Sequence, residues 1–416
     1  MYAMMCQART TLFYLTCVLG VAFALESRGL AQDKSAHAWP CWRGPDHNGV
    51  SSETGWNRSW PATRPKLLWK VSVGSGFSSF AVSGNRVYTM GNTKDVDTVF
   101  CLDAETGKSS WKHAYPCPLT PLSYEGGPSA TPAAEGNRLY TLSKSGHVFC
   151  LDAATGEVVW SKKLDPAPRQ EGDYAVDWGY AASPLVLSEK LILSVGWAGM
   201  ALNKNNGQPL WDNGPGRPGY SSPVPFALDG RQRLAMLVAC GVVCVDADSG
   251  KLLWTIPWRT TWDQNAPDVL TSEGKLFVST GHGVGCALYE IGSGTPKEIW
   301  RNKNMRNELS SCVLWKGFIY GFDGNRLSCV DWVTGNRQWS ESGLGRGTLI
   351  LVDGHVIVLG DQGKLVVAEA KSEGFKALGT LQLPAEGRYW TSPAFSDGRI
   401  FIRNATGDVL CVDVRN

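Results

Sequence analysis

The sequence predicts an all-β chain folded as an eight-bladed β-propeller, its ring closed by a strand from the N-terminal side. Three observations predict it. A short motif recurs at a regular interval, the stretches between its copies alternate with the two-residue period of strands, and nothing after residue 35 carries a helical stripe.

The clearest motif is Cys101-Leu102-Asp103-Ala104-Glu105-Thr106-Gly107 followed by Trp111, repeated as Cys150-Leu151-Asp152-Ala153-Ala154-Thr155-Gly156 with Trp160. The same frame runs from Cys244 to Trp254 and from Cys329 to Trp339. Weaker copies fill the gaps. Asn203 to Trp211 keeps the step to Trp, Leu288-Tyr289 to Trp300 has a longer tip, Val367-Ala368-Glu369-Ala370 has lost the Trp, and Cys411-Val412-Asp413 comes last. The anchors are thus residues 103, 152, 203, 246, 289, 331, 369 and 413, spaced by roughly 40–50 residues, which suits four-stranded blades.

Each motif residue has a structural reason. Asp can accept from the amides of the turn that follows, Gly takes the positive φ of a short hairpin, and Trp covers apolar area between neighbouring sheets. A residue copied around a ring serves the ring.

The two ends complement each other. Residues 65–73, with Trp69, read as a fourth strand that lacks the preceding three. The last copy offers only three: residues 389–395, then the turn Ser396-Asp397-Gly398, residues 399–403, and residues 409–414. Joined, they make one blade and remove the open sheet edges. The expected organisation is a signal peptide over 1–31, an extended lead-in over 32–64 and the propeller over 65–416. The signal reading rests on Arg9 before the apolar stretch 11–25, with Gly29-Leu30-Ala31 as cleavage site, so the chain is expected to be exported, periplasmic or secreted, with no transmembrane span in its mature form. Cys17, after Tyr14-Leu15-Thr16, is a poor lipid-attachment site.

With 40 Lys+Arg against 38 Asp+Glu and no basic run, the composition argues against nucleic acid as a partner. Cys101, Cys150, Cys244, Cys329 and Cys411 fall at one repeated position and cannot reach one another, whereas Cys41, Cys117, Cys240, Cys286 and Cys312 stay open to disulfide pairing.

Propellers bind where loops enter the innermost strands at the channel mouth. The candidates there are Tyr124, Glu125, Asp173, Asp177, Trp178, Trp258, Trp262, Asp263, Glu308, Arg388 and Trp390. No catalytic spacing accompanies them: the six His form no HExxH or close pair, and CxxC pairs, a GxSxG elbow and a CxxCH site are all missing. Gly281-His282-Gly283-Val284-Gly285 leads into strand-like residues and reads as a turn.

The repeat from Cys101 to Trp111 and from Cys150 to Trp160 resembles the PQQ-like (WD40-like) repeat of pyrroloquinoline-quinone enzymes, from about residue 38 onward. Residues 39–45, Trp-Pro-Cys-Trp-Arg-Gly-Pro, with Asn48-Gly49, are similar to the lead-in of exported bacterial proteins of this kind. The resemblance implies one of two functions. BamB-type exported propellers imply a non-catalytic, monomeric scaffold for protein partners at the cell envelope, in outer-membrane protein assembly, with no cofactor. PQQ-dependent alcohol or sugar dehydrogenases imply a quinone between a Trp and a ring of two adjacent cysteines, with Ca²⁺ nearby. The sequence has no adjacent Cys pair. Under that second reading the cofactor-binding candidates are Trp178, Trp258, Trp262, Trp390 and Arg388, and the Ca²⁺ candidates Asp177, Asp263 and Glu308. The scaffold is the expected function.

Overall fold

Each of the first seven copies of the motif forms the hairpin between the third and outermost strands of a blade. In blade 1 these are Val96–Asp103 and Ser109–Pro116. Asp103 Oδ1 accepts from Glu105 N, Thr106 N and Thr106 Oγ1 at 3.1, 2.8 and 2.7 Å, closing the turn on the charge of one carboxylate. Asp152, Asp246 and Asp331 repeat the pattern, and Asn203 performs it without a charge. The anchor of blade 5 is Glu290, one residue beyond the expected Tyr289, because Leu288 stands opposite Trp300 as Cys101 stands opposite Trp111.

The structure is a computed structural model that describes residues 37–60, 65–165, 178–384 and 386–416. The proposed signal over 1–31 lies outside the described residues. Eight sheets form the ring, seven of four antiparallel strands and one that carries a fifth, parallel strand, with no helix among the described residues. No helix is therefore long and apolar enough to cross a membrane there.

The motif Trp does not simply fill space between sheets. At five of the junctions it lies on the hairpin Gly of the next blade: a Cβ at Gly156 would come within 2.5 Å of the Trp111 ring, and one at Gly107 within 2.6 Å of Trp69. Gly107 thus serves twice, taking a φ of +69° and exposing a bare Cα for the indole. The indole N–H then donates to the carbonyl after the anchor, Trp69 to Ala104 at 3.0 Å and Trp111 to Ala153 at 3.2 Å.

Ring closure follows the complementary ends. Lys66–Ser72 pairs antiparallel with Asp408–Asp413, placing Trp69 opposite Cys411, and completes blade 8 as expected. Arg403, fully buried, donates to Ser78 O, Met90 O and Gly74 O across the junction between blades 8 and 1. The innermost strand of blade 8 is Ala394–Ser396, shorter than the expected 389–395. Ahead of it the hydrogen bonds run sideways: Thr391 donates to Phe77 O, and the carbonyls of Thr391 and Ser392 accept from Thr348 and Ser79.

The lead-in proves to be an insertion into the ring. Trp39 bridges Val82 of blade 1, Pro40 O accepts from Ala134 N of blade 2, and Val50–Ser51 lies parallel to the inner strand Thr348–Val352 of blade 7. The segment then supplies what blade 7 has lost. Gly379 occupies the motif Trp position, opposite Val367, and Trp60 from the lead-in lies on it, 2.6 Å from where a Cβ would be. Trp60 Nε1 donates to Asn57 O, and Asn57 N donates to Val414 O just after the strand Asp408–Asp413. Trp39, Trp56 and Trp60 share one apolar cluster with blades 7, 8 and 1.

The ten cysteines in the described residues are all free, so the pairing left open for Cys41, Cys117, Cys240, Cys286 and Cys312 does not occur. Their thiols have other partners or none in common: Cys312 donates to Asn307 Oδ1, Cys286, in the same apolar cluster, to Asn302 Oδ1 and Cys117 to Ser145 Oγ, while Cys240 is exposed.

Two outcomes follow. Trp60→Ala should cost about 3–5 kcal/mol in urea unfolding, as a buried motif Trp would, whereas Trp262→Ala on an exposed turn should change stability by no more than about 0.5 kcal/mol. The turn aspartates supply a second. Hydrogen bonds from Thr106 hold the Asp103 carboxyl below its ordinary value of 3.8, and the Ala154 and Thr155 amides do the same for Asp152. Depressed folded values mean stability that is present above the ordinary range and lost as pH falls through it. Urea midpoints measured from pH 7 down to about pH 2 should therefore decline less steeply in an Asp103→Asn, Asp152→Asn variant, which keeps the turn as Asn203 does.

Candidate functional site at the channel mouth

A belt of hydrogen bonds holds the entrances of the inner strands together. Ser79 N donates to Thr131 Oγ1 of the next blade, Thr131 N to Ser183 Oγ, Ser183 N to Ser222 Oγ, Ser222 N to Asp268 Oδ1, and Asp268 N to Ser311 Oγ, all between 2.7 and 3.1 Å. Thr131, Ser183 and Ser222 each precede a proline, which keeps them extended and turns their amides toward the neighbouring blade. Blade 5 departs from the pattern by offering a carboxylate where the others offer a hydroxyl.

That carboxylate receives the tip of the lead-in. Trp42 Nε1 donates to Asp268 Oδ2 at 2.6 Å, Ser221 Oγ lies 3.2 Å from Oδ1, and Arg43 Nε stands 3.8 Å from Oδ2. Arg43 also donates to Cys312 O and Asn48 O at 2.6 and 2.8 Å. Burial pushes the Asp268 carboxyl up from its ordinary value, against the pull of Arg43, Trp42 and the Ser222 amide. Both charges are buried, so each depends on the other and on these donors.

Above the tip lies a cavity of about 230 Å³ whose lining includes Trp42, Phe77, Tyr124, Trp178, Tyr220 and Trp390. The aromatics interlock: Phe77 stacks on Trp390 at 6.2 Å, Trp390 meets Tyr124 edge-on at 4.9 Å, Tyr124 lies 5.5 Å from Trp178, and Trp178 meets Tyr220 at 6.1 Å. Arg388 caps this wall, 5.0 Å over Trp390 and 5.7 Å over Tyr124, with Glu125 3.6 Å away. The charged lining is engaged as well. Glu308 pairs with Arg346 at 3.0 Å, and Lys144, whose pKa burial lowers, donates to Leu119 O and Thr120 Oγ1. A second hollow shares His282, Glu308 and Arg346 with the first.

The expected site residues divide. Tyr124, Trp178, Glu308 and Trp390 line the cavity, and Arg388 and Glu125 adjoin it. Trp258 does not: it is buried in the core, its Nε1 donating to Thr280 Oγ1 and its face covered by Arg301 at 4.6 Å. Trp262 and Asp263 sit on a turn beside the cavity, with Trp262 exposed and Asp263 paired with Arg217 at 3.1 Å. Asp173 and Asp177 lie outside the described residues. Sequence reasoning missed Trp42, Asp268, Lys144 and Tyr220. The Ser and Thr residues that stand before prolines were the available signal, since Asp268 interrupts their series.

Sequence and structure comparisons agree with this fold. A family profile described as outer membrane protein assembly factor BamB matches residues 53–127, 120–341 and 239–416. No curated protein sequence matches. Among solved structures, BamB from Moraxella catarrhalis superimposes with a TM-score of 0.60 at 15% identity, over 84% of this chain and 99% of that one. A quinohemoprotein alcohol dehydrogenase from Comamonas testosteroni gives 0.63 at 13% identity, over 91% and 81%. A europium-containing methanol dehydrogenase gives 0.54 at 13% identity, over 89% and 90%. At these identities the likeness is one of fold.

A double-mutant cycle tests the buried pair beneath the cavity. Asp268→Ser restores the hydroxyl of the belt but strands the Arg43 cation, and should cost about 3–5 kcal/mol. Adding Arg43→Met should recover most of that loss in urea unfolding, giving a coupling energy well above about 1 kcal/mol.

Proposed function

This chain belongs to the family described as outer membrane protein assembly factor BamB, and from that premise we propose that it is a non-catalytic interaction module whose open channel mouth engages partner proteins. One observation carries the reading. The mouth opposite the inserted lead-in combines an interlocked aromatic cavity with large apolar side chains left exposed on its loops, Leu122, Trp262 and Leu309. Exposed apolar groups around an aromatic hollow suit a partner that inserts an apolar side chain and closes over it. Export to the cell envelope belongs to the same proposal.

The dehydrogenase reading finds less support in the donor set. Glu308 and Asp263 are each tied to an arginine, and Asp268 spends its oxygens on Trp42, Ser221 and Ser222. Among the described residues no two carboxylates converge at this mouth to hold Ca²⁺, and the sequence offers no adjacent cysteines to cover a quinone. These residues do not fit the quinone and its metal.

A photo-reactive amino acid placed at Trp262 or Leu309 should give discrete cross-linked partners in the cell envelope. The same group at exposed Val333, on an outer hairpin, should give none, and Trp178→Ala with Trp390→Ala should abolish the mouth adducts. Saturable binding of PQQ with Ca²⁺, followed by dye reduction with alcohols or aldoses, would overturn the proposal.

A further inference from the structure

We propose that His37, Glu53 and Asp397 form a binding site for a divalent transition-metal ion of the zinc class, which fastens the lead-in to blade 8. The site lies at the mouth away from the aromatic cavity and is independent of it. Two legs of the lead-in and a distant hairpin meet there: the start of the described lead-in, its return leg, and the hairpin between Ala394–Ser396 and Arg399–Arg403.

The spacing suits an ion. His37 Nδ1 stands 3.5 Å from Glu53 Oε1 and 3.5 Å from Asp397 Oδ1, and the three donor atoms all lie within 4.8 Å of one another. Bonds of about 2.1 Å in a tetrahedron separate the ligand atoms by roughly 3.4 Å. A hydrogen bond would draw the imidazole to roughly 2.7–3.2 Å from one oxygen, whereas it stands equally far from both.

The surroundings also orient each ligand. Glu53 is almost wholly buried, and its two oxygens accept from Gly398 N at 2.6 Å and Asp397 N at 3.0 Å, which aims the carboxylate while leaving lone pairs free. Ser396 Oγ donates to the His37 carbonyl and holds the backbone that carries the imidazole. Arg399 lies 3.8 Å from Asp397 Oδ2, on the oxygen that does not face His37. Two carboxylates thus converge on one nitrogen that carries at most one proton, one of them out of water. A cation between them removes that repulsion. One imidazole with two carboxylates suits Zn²⁺, with water as a fourth ligand. Ca²⁺ asks for about six to eight oxygens, which this corner lacks.

Zinc chloride titrated calorimetrically into chelator-stripped protein tests the site, in a Cys240→Ser background that removes the exposed thiol. One ion per chain is expected, with a rise in Tm and slower proteolysis of the lead-in. His37→Ala, at a half-exposed position, and Asp397→Asn should each weaken binding at least tenfold and remove the zinc-dependent protection, with unchanged circular dichroism. Undiminished zinc binding in both variants, or no saturable binding in the parent, would overturn the proposal. Calcium binding as tightly as zinc would overturn the choice of metal.

Discussion

The ring depends on one repeated contact, an indole laid on the bare Cα of the next blade's hairpin and tied by its N–H to the carbonyl beside it. The contact recurs at five junctions, with Trp69, Trp111, Trp160, Trp211 and Trp300 lying on Gly107, Gly156, Gly207, Gly250 and Gly335, whereas Trp254 and Trp339 pack between their blades without a hairpin glycine beneath them. Trp69 makes it from blade 8 to blade 1, joining the two ends of the described ring. Between blades 7 and 8 the sequence has Gly379 instead of Trp, which would leave an opening in the busiest part of the structure, where the ring closes. Trp60 fills that opening from outside the repeat. The lead-in is therefore a structural member of the ring, and loss of the motif in blade 7 is explained by the segment that replaced it.

The same segment reshapes the channel. The belt of Ser and Thr hydroxyls could run around the inner strands unaided, since neutral hydrogen bonds satisfy each amide. Asp268 breaks the series because it must also accept Trp42 Nε1 and balance Arg43. A buried ion pair is an expensive way to secure a peptide, and an apolar contact of equal volume could hold as well. Its advantage is direction: Arg43 reaches the carbonyls of His47, Asn48 and Cys312 as well as the carboxylate, which fixes the register of the tip as an apolar plug would not.

The ring was legible in the sequence because its residues repeat with one role at one period. Asp103, Gly107 and Trp111 each solve a local problem, and a local solution copied from blade to blade stands out. What escaped was non-local. Trp42 meets a carboxylate 226 positions away, and Trp60 meets a glycine whose importance lies in lacking a side chain. Neither belongs to a motif. The aromatics ahead of the inner strands were half legible: Trp178 and Trp390 face the cavity, while Trp258, in a similar position, turns into the core because Thr280 accepts its N–H and Arg301 covers its face. Loop aromatics have two sides to choose between, and sequence position does not decide it.

A ring of similar blades has no privileged site, because pseudo-symmetry places the same groups at every junction. Function requires the symmetry to be broken, and here one inserted peptide breaks it at both ends of the channel. At one mouth the segment enters and returns, with Glu53 buried against the Asp397 hairpin, so that end is filled by the chain itself. At the other it reaches only as far as Trp42, whose ring becomes part of the cavity lining beneath Trp178, Tyr124 and Trp390. The depth of the cavity is thus set by how far the lead-in penetrates, and that is set by Arg43 and Asp268. Any partner that enters the open mouth meets a surface whose shape was determined from the opposite side of the ring.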